Sequence, residues 1–245
     1  MNRTLQFGEG LFETVRWLGR SAKLPLHYER LRRSADELGL PCPSYEEFTK
    51  PIKKLKGPLA VKLVLTFRGS PLYWERPEGY ELLLLTRPLP AVPLKAALCF
   101  SPYRRHSTDP LTRHKTTSYL FNALVKRHAT SRGFYDALVL NEKGRLCESS
   151  SAALLLYKSG RFYAPPPEEG ALPSTTLSFL ERELSLVYEP LKPERLRSGA
   201  LFLVNSLTGF LPVFRLEQQT LAPKPGLAAE LNELLLKKEL SLSPR

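Results

Sequence analysis

Lys115 stands just ahead of a stretch with helical periodicity, directly after Arg113 and His114. A lysine amine becomes a nucleophile once it loses its proton, but by residue type and position alone Lys115 reads as a solvated surface charge. Ser174-Thr175-Thr176 puts three hydroxyls and unpaired backbone N–H groups at the start of a helical run, which suits either a helix cap or an anion. His27, Arg30 and Ser34 line a polar stripe beside the apolar stripe Tyr28, Leu31, Ala35 and Leu38. Metal chemistry is not expected. Cys42, Cys99 and Cys147 form no C-x-x-C pair, and His27, His106, His114 and His128 lack the H-E-x-x-H spacing.

The elements that must position these groups follow from periodicity and turn signals. Gln6 to Trp17 opens with glycines and then alternates as a strand does, and His27 to Gly39 reads as a helix closed by Gly39. A loop and short basic helix fill Pro41 to Lys56, and strands are expected at Leu59 to Phe67 and Tyr80 to Thr86. The Pro-rich segment 87–93 marks a boundary between an N-terminal α/β domain, residues 1–90, and a C-terminal domain, residues 91–245. In the second domain a strand at Lys95 to Ser101 precedes a polar loop and a helix at Thr116 to Ser131. Two hairpins turn at residues 141–145 and 159–160, a helix is expected at Leu177 to Leu186, and a short strand at Leu201 to Val204. Leu227 to Leu240 is an amphipathic helix followed by a tail expected to fray. The fold class is α/β (α+β).

The chain has 245 residues, 42% hydrophobic and 24% charged, a composition that excludes extensive disorder. No apolar run approaches the roughly 20 residues of a membrane span, and the first residues carry no apolar leader, so a cytoplasmic location is expected. With 36 basic and 24 acidic residues the net charge is +12, which favours anionic partners. The clusters Arg30 to Arg33 and Lys50 to Lys56 carry no nucleic-acid recognition motif, so a small anionic substrate is expected in preference to nucleic acid or membrane.

The order of several segments carries more than any one of them. Phe7-Gly8-Glu9-Gly10-Leu11-Phe12-Glu13-Thr14-Val15-Arg16, His27-Tyr28-Glu29-Arg30-Leu31, Lys115 with Tyr119, Asp136 to Leu140 with Gly144 and Glu148, Leu172 to Thr176, and Ser206 to Val213 resemble the class IV aminotransferase family of fold-type IV pyridoxal-phosphate enzymes. Within it, Gln6 to Arg16 and the loop Ser101-Pro102-Tyr103-Arg104 with Pro110-Leu111 are most similar to the 4-amino-4-deoxychorismate lyases. The resemblance implies two domains with a cofactor cleft between them, the second built on a curved mixed sheet and carrying the Schiff-base lysine, and a homodimer.

It also implies roles. Lys115 is the Schiff-base lysine, Glu148 the acidic partner of the pyridine nitrogen and Arg30 the phosphate-binding arginine. Thr175, Thr176, Ser206 and the Leu207 amide form a phosphate cup, and Tyr119 touches the cofactor. Arg104 and Arg105, in the loop ahead of Lys115, are candidates for a substrate-anion clamp. Ala153, Ser174 and Leu177 stand where the family commonly has Asn, Gly and Arg. The implied activity is a pyridoxal 5'-phosphate-dependent lyase that eliminates pyruvate to give 4-aminobenzoate for folate biosynthesis. The alternative is a D-amino-acid or branched-chain aminotransferase.

Overall fold

The structure is a computed structural model, and it describes residues 1–241. The chain divides into two compact units: one of Met1–Pro90, His114–Tyr119 and the C-terminal stretch from Lys237, the other of Ala91–Arg113 and Leu120–Leu236.

The first unit begins with a single helical turn, α1 (Arg3–Phe7), where strand had been expected from Gln6. Asn2 caps it by accepting from Leu5 N–H, and Gly8 ends it at φ 72°, a conformation that costs glycine little. Strand β1 (Gly10–Trp17) then pairs antiparallel with β2 (Leu59–Arg68), which pairs with β3 (Gly79–Arg87). Side chains alternate across the sheet, so Leu11, Val15 and Trp17 share a face with Val61, Leu63, Leu65 and Phe67. That face packs with residues of α2 (Leu24–Leu38), including Leu31 and Ala35, and of α3 (Tyr45–Lys53), including Phe48 and Ile52. Helix α2 starts three residues earlier than its periodicity suggests because Pro25 is accommodated in its first turn. Ser44 and Glu47 form a capping box for α3.

The second unit is built on a nine-stranded curled mixed sheet. Its strands are β4 (Ala96–Arg105), β5 (Asp136–Asn141), β6 (Leu146–Ser149), β7 (Ala153–Lys158), β8 (Arg161–Ala164), β9 (Leu186–Tyr188), β10 (Ala200–Asn205), β11 (Gly209–Leu216) and β12 (Gln219–Thr220). They run in the order β6-β5-β4-β11-β10-β7-β8-β9, with β12 on β11. The apolar run of β10 is explained by burial on both faces. Leu201 and Leu203 join one core cluster with Leu154, Leu156 and Leu211, while Phe202 and Val204 join another with Leu155, Leu177, Phe210 and Leu235.

Two helical expectations in the second unit shift. Helix α4 is Leu120–Ser131, not from Thr116, because residues 116–119 belong with the first unit. The run 177–186 breaks into α5 (Thr175–Phe179) and α6 (Glu181–Leu184), and Leu180 leaves helical geometry between them. Helix α7 (Pro225–Leu240) is as expected, and from residue 242 the tail expected to fray lies outside the described residues. Among the described residues no helix is long and apolar enough to cross a membrane.

Asn232 on α7 holds β11 by accepting from Phe210 N–H at 2.8 Å and donating to Phe210 O at 2.9 Å. Asn232→Ala leaves both backbone groups short of a partner and is expected to cost about 1–3 kcal/mol. Urea unfolding at unchanged slope measures it.

Candidate functional site

In the first unit Lys115 is carried by an extra bridge on the edge of the sheet. Phe12 N–H donates to Lys115 O at 2.9 Å, Thr117 N–H donates to Gly10 O at 2.8 Å, and Thr116 bridges Leu11. This approach requires the glycines of the Gly8-Glu9-Gly10 segment. A Cβ on Gly8 would lie 2.3 Å from Ser118 Oγ, and one on Gly10 would lie 2.4 Å from Thr117 Oγ1. Lys115, expected on the second domain, is therefore held with the first, as is Tyr119. The Lys115 ammonium lies 4.5 Å from the centroid of the Phe12 ring, and the Tyr119 ring meets Phe12 edge-on at 5.3 Å.

On the opposite face of β1, Glu13 is wholly buried and binds two residues of α2. It accepts from Arg30 Nε at 2.7 Å and Nη2 at 2.6 Å, and His27 Nδ1 lies 2.6 Å from it. Burial alone would push the Glu13 carboxyl up, but Arg30 and His27 outweigh it and hold it down at about 2. His27 is shifted below its ordinary value by burial, so at neutral pH its ring is a neutral N–H donor to Glu13. The Arg30 guanidinium plane is thereby fixed by a bidentate partner. Sequence periodicity carried a signal for Glu13: it is a charged residue at an inward position between Leu11 and Val15, and it had no assigned role.

The second unit gathers a different set. Glu148 on β6 is buried, and it accepts from Arg105 Nη1 and, at 3.4 Å, from Leu172 N–H. Arg105 also donates to Gly170 O at 3.2 Å and to Asn122 Oδ1 at 3.3 Å, and Asn122 donates onward to Ser150 O at 2.7 Å. Beneath this chain Asp136, fully buried, binds Ser149 Oγ at 3.1 Å and Ser151 Oγ at 3.2 Å and so shapes the turn after Glu148. Asn122 and Asp136 went unread in the sequence, because neither has a spacing that distinguishes it from ordinary polar residues.

The remaining expected residues separate. Thr175 and Thr176 are buried, and Thr175 Oγ1 lies 3.3 Å from Ser206 Oγ, which brings the two expected loops together. The helix behind them is one turn long, so hydroxyls rather than a helix dipole are the groups it offers. The Leu207 amide donates to Asn205 Oδ1 at 2.9 Å. Arg104 donates to Asn141 O at 3.0 Å, and Arg105 serves Glu148, so both guanidinium groups of the expected anion clamp have partners inside their own unit. Among the described residues no group of three or more His, Cys, Asp or Glu could hold a metal.

Each unit carries groups whose chemistry suits pyridoxal phosphate: in the first a lysine against an aromatic ring and an arginine held by Glu13, in the second a carboxylate held by an arginine and a pair of facing hydroxyls.

Residues 10–216 match the family model for amino-transferase class IV. A "Probable branched-chain-amino-acid aminotransferase" of Thermotoga maritima is 27% identical over 86% of this chain and 78% of its own length. The "Aminodeoxychorismate lyase" of Bacillus subtilis is 24% identical over 96% of this chain and 86% of its own length. Among solved structures, a "Putative 4-amino-4-deoxychorismate lyase" from Legionella pneumophila superposes with a TM-score of 0.87 at 27% identity, covering 96% of this chain and 93% of that one. The branched-chain aminotransferase of Thermoproteus uzoniensis shares the fold, with a TM-score of 0.83 at 23% identity.

Replacing Glu13 tests the buried pair. With its pKa near 2 against 4.5 when unfolded, Glu13 adds stability that is complete above pH 4.5 and is lost as pH falls towards 2. Glu13→Gln is expected to cost about 3 kcal/mol at neutral pH and to flatten the acid limb of a stability–pH curve in that window. Denaturant titrations at several pH values measure both.

Proposed function

Because the chain belongs to the class IV aminotransferase family, whose members use pyridoxal phosphate, we propose that it is a 4-amino-4-deoxychorismate lyase. The observation that carries this reading is the likeness to the Legionella protein, which spans 96% of this chain and 93% of that one. The Bacillus lyase, matched over 96% of this chain, supports it. The product is 4-aminobenzoate, a precursor for folate, with pyruvate released.

In this reading Lys115 is the Schiff-base lysine. Arg30, Thr175, Thr176 and Ser206 bind the phosphate, Tyr119 touches the cofactor, and Glu148 holds a proton at the pyridine nitrogen. The cofactor, when bound, supplies an aldehyde for the substrate amine and an electron-withdrawing ring. Glu13 fixes the plane of the Arg30 guanidinium and so orients it for the phosphate. Arg105 donates to the Glu148 carboxylate and so orients it towards its place in the site. With the cofactor bound, the Lys115 amine would take the proton from the amine-bearing carbon of the substrate. The bond between the ring carbon and the ether oxygen would break, and the enolpyruvate released would take up a proton to give pyruvate. The Phe12 ring keeps water from one side of the lysine stem. The protein acts as a homodimer in the cytoplasm.

The second reading, an aminotransferase for D- or branched-chain amino acids, is favoured by the Thermotoga relative. The two differ in one product: an aminotransferase converts the cofactor to its stable amine form with an amino donor alone, and a lyase does not.

Purified protein is expected to be yellow and to release pyruvate and 4-aminobenzoate in equal amounts from aminodeoxychorismate. Lys115→Ala should abolish the visible band and lower kcat by about 10²–10⁴-fold. A yellow protein that yields no pyruvate but is bleached by an amino acid is an aminotransferase. A protein that takes up no pyridoxal phosphate overturns both readings.

A further inference from the structure

The most deeply buried cations of the first unit are matched to carboxylates. Arg3 binds Glu9, Arg30 binds Glu13, and both Arg16 and Lys23 bind Glu239. Lys62 departs from this pattern. It rises from β2, the central strand of the three-stranded sheet, between Thr14 on one side and Leu85 on the other. Its side chain is half-buried, and burial pushes its pKa down with no carboxylate among the described residues to hold it up.

The Lys62 contact is aromatic. Its Nζ lies 4.1 Å from the centroid of the Phe12 ring, the same ring that the Lys115 ammonium approaches at 4.5 Å. Strand register explains the meeting, because Phe12 faces Val64 and Thr14 faces Lys62, which puts all four on one face of the sheet. A ring quadrupole offsets only part of the cost of withdrawing the Lys62 ammonium from water. An anion entering at Lys62 relieves that penalty.

We propose that Lys62 binds the carboxylate of the substrate, so that the ring of Phe12 separates an anion-binding lysine from the reacting lysine, Lys115. This rests on the reading of Lys115 given above. An ammonium on a flexible stem makes a point-charge contact, which a carboxylate satisfies through one oxygen, and Phe12 and Val64 offer apolar surface to the carbon skeleton that bears it. Lys62 adds to the expected clamp of Arg104 and Arg105, which donate to Asn141 O and to Glu148 within their own unit. Because Lys62 sits on a central strand with partners on both sides, its backbone is fixed more firmly than a loop residue would be.

The test compares cofactor-loaded wild type with Lys62→Met, which keeps the stem and removes the charge, and with Lys62→Arg, which keeps the charge. The visible band is recorded first, and each protein is then titrated calorimetrically with isophthalate and with uncharged isophthalamide. Lys62→Met is expected to weaken isophthalate about tenfold or more and to leave isophthalamide unchanged, while Lys62→Arg stays within about threefold of wild type. In turnover, the loss in Lys62→Met should fall on KM rather than kcat. Equal isophthalate affinity in wild type and Lys62→Met, or no isophthalate binding by wild type, overturns the proposal. Weaker pyridoxal phosphate binding by Lys62→Met also overturns it, because Lys62 would then serve the cofactor phosphate. A wild type with no visible band overturns the functional reading itself, and that is seen before any anion is added.

Discussion

The pairing of residues 115–117 with β1 fixes what the rest of the first unit can do. Phe12 N–H and Gly10 O hold the lysine segment at the sheet edge, and glycine at 8 and 10 leaves room for Thr117 and Ser118. The two-residue repeat of the strand then divides the work. Leu11, Glu13 and Val15 turn towards the helices, and Phe12 and Thr14 turn the other way. A slip of one residue would exchange the two sets, taking Glu13 from Arg30 and burying Phe12 in its place. The Glu13–Arg30 pair therefore holds the strand register as well as the arginine.

Buried charge in both units follows one rule: a carboxylate deep in the protein serves more than one donor. Glu13 serves Arg30 and His27, and Glu239 serves Arg16 and Lys23, whose amine burial pushes down to about 8 despite that partner. Glu169 accepts from Arg145 and Asn141, and Asp136 serves Ser149, Ser151 and the Ser150 and Ala137 amides. Ionised carboxylates have several acceptor sites, so sharing recovers much of the desolvation cost. Leaving one donor out exposes the others to a poorly compensated charge, which is why these clusters are sensitive to single substitutions.

Local signals in the sequence were enough to place most strands, and it was the order of segments resembling the family, not any local signal, that singled out Arg30, Lys115, Glu148 and Thr176 as expected cofactor residues. Local signals failed where a distant partner decides the local structure. Residues 116–119 have helical periodicity, but backbone pairing with Gly10 and Leu11 is worth more than one further helical turn, so α4 begins at Leu120. The helix expected over 177–186 is interrupted at Leu180, which is fully buried in the core with Leu177 and Leu184. The loop arginines were visible, but nothing local shows that Arg105 reaches Glu148, forty-three residues later. Lys62 was hidden for the opposite reason: one lysine in an apolar strand looks like a solvated face until the ring beneath it is known.

A lyase and an aminotransferase begin with the same proton removal and need the same lysine, ring-nitrogen carboxylate and phosphate grip, so those residues describe the family and not the reaction. What differs is the next bond to change. That depends on which substituent of the substrate is held in line with the electron sink, and so on where the far end of the substrate is anchored. An anchor on a mobile loop would allow several orientations, whereas one on the central strand of a packed sheet allows few. Lys62 occupies such a strand, on the face that carries Phe12, and in the proposal made above its charge would hold the end of the substrate that the cofactor does not touch. Under that proposal the first unit's sheet anchors the substrate, and the ring of Phe12, which Lys62 and Lys115 both approach, is where anchoring and the shared chemistry would meet.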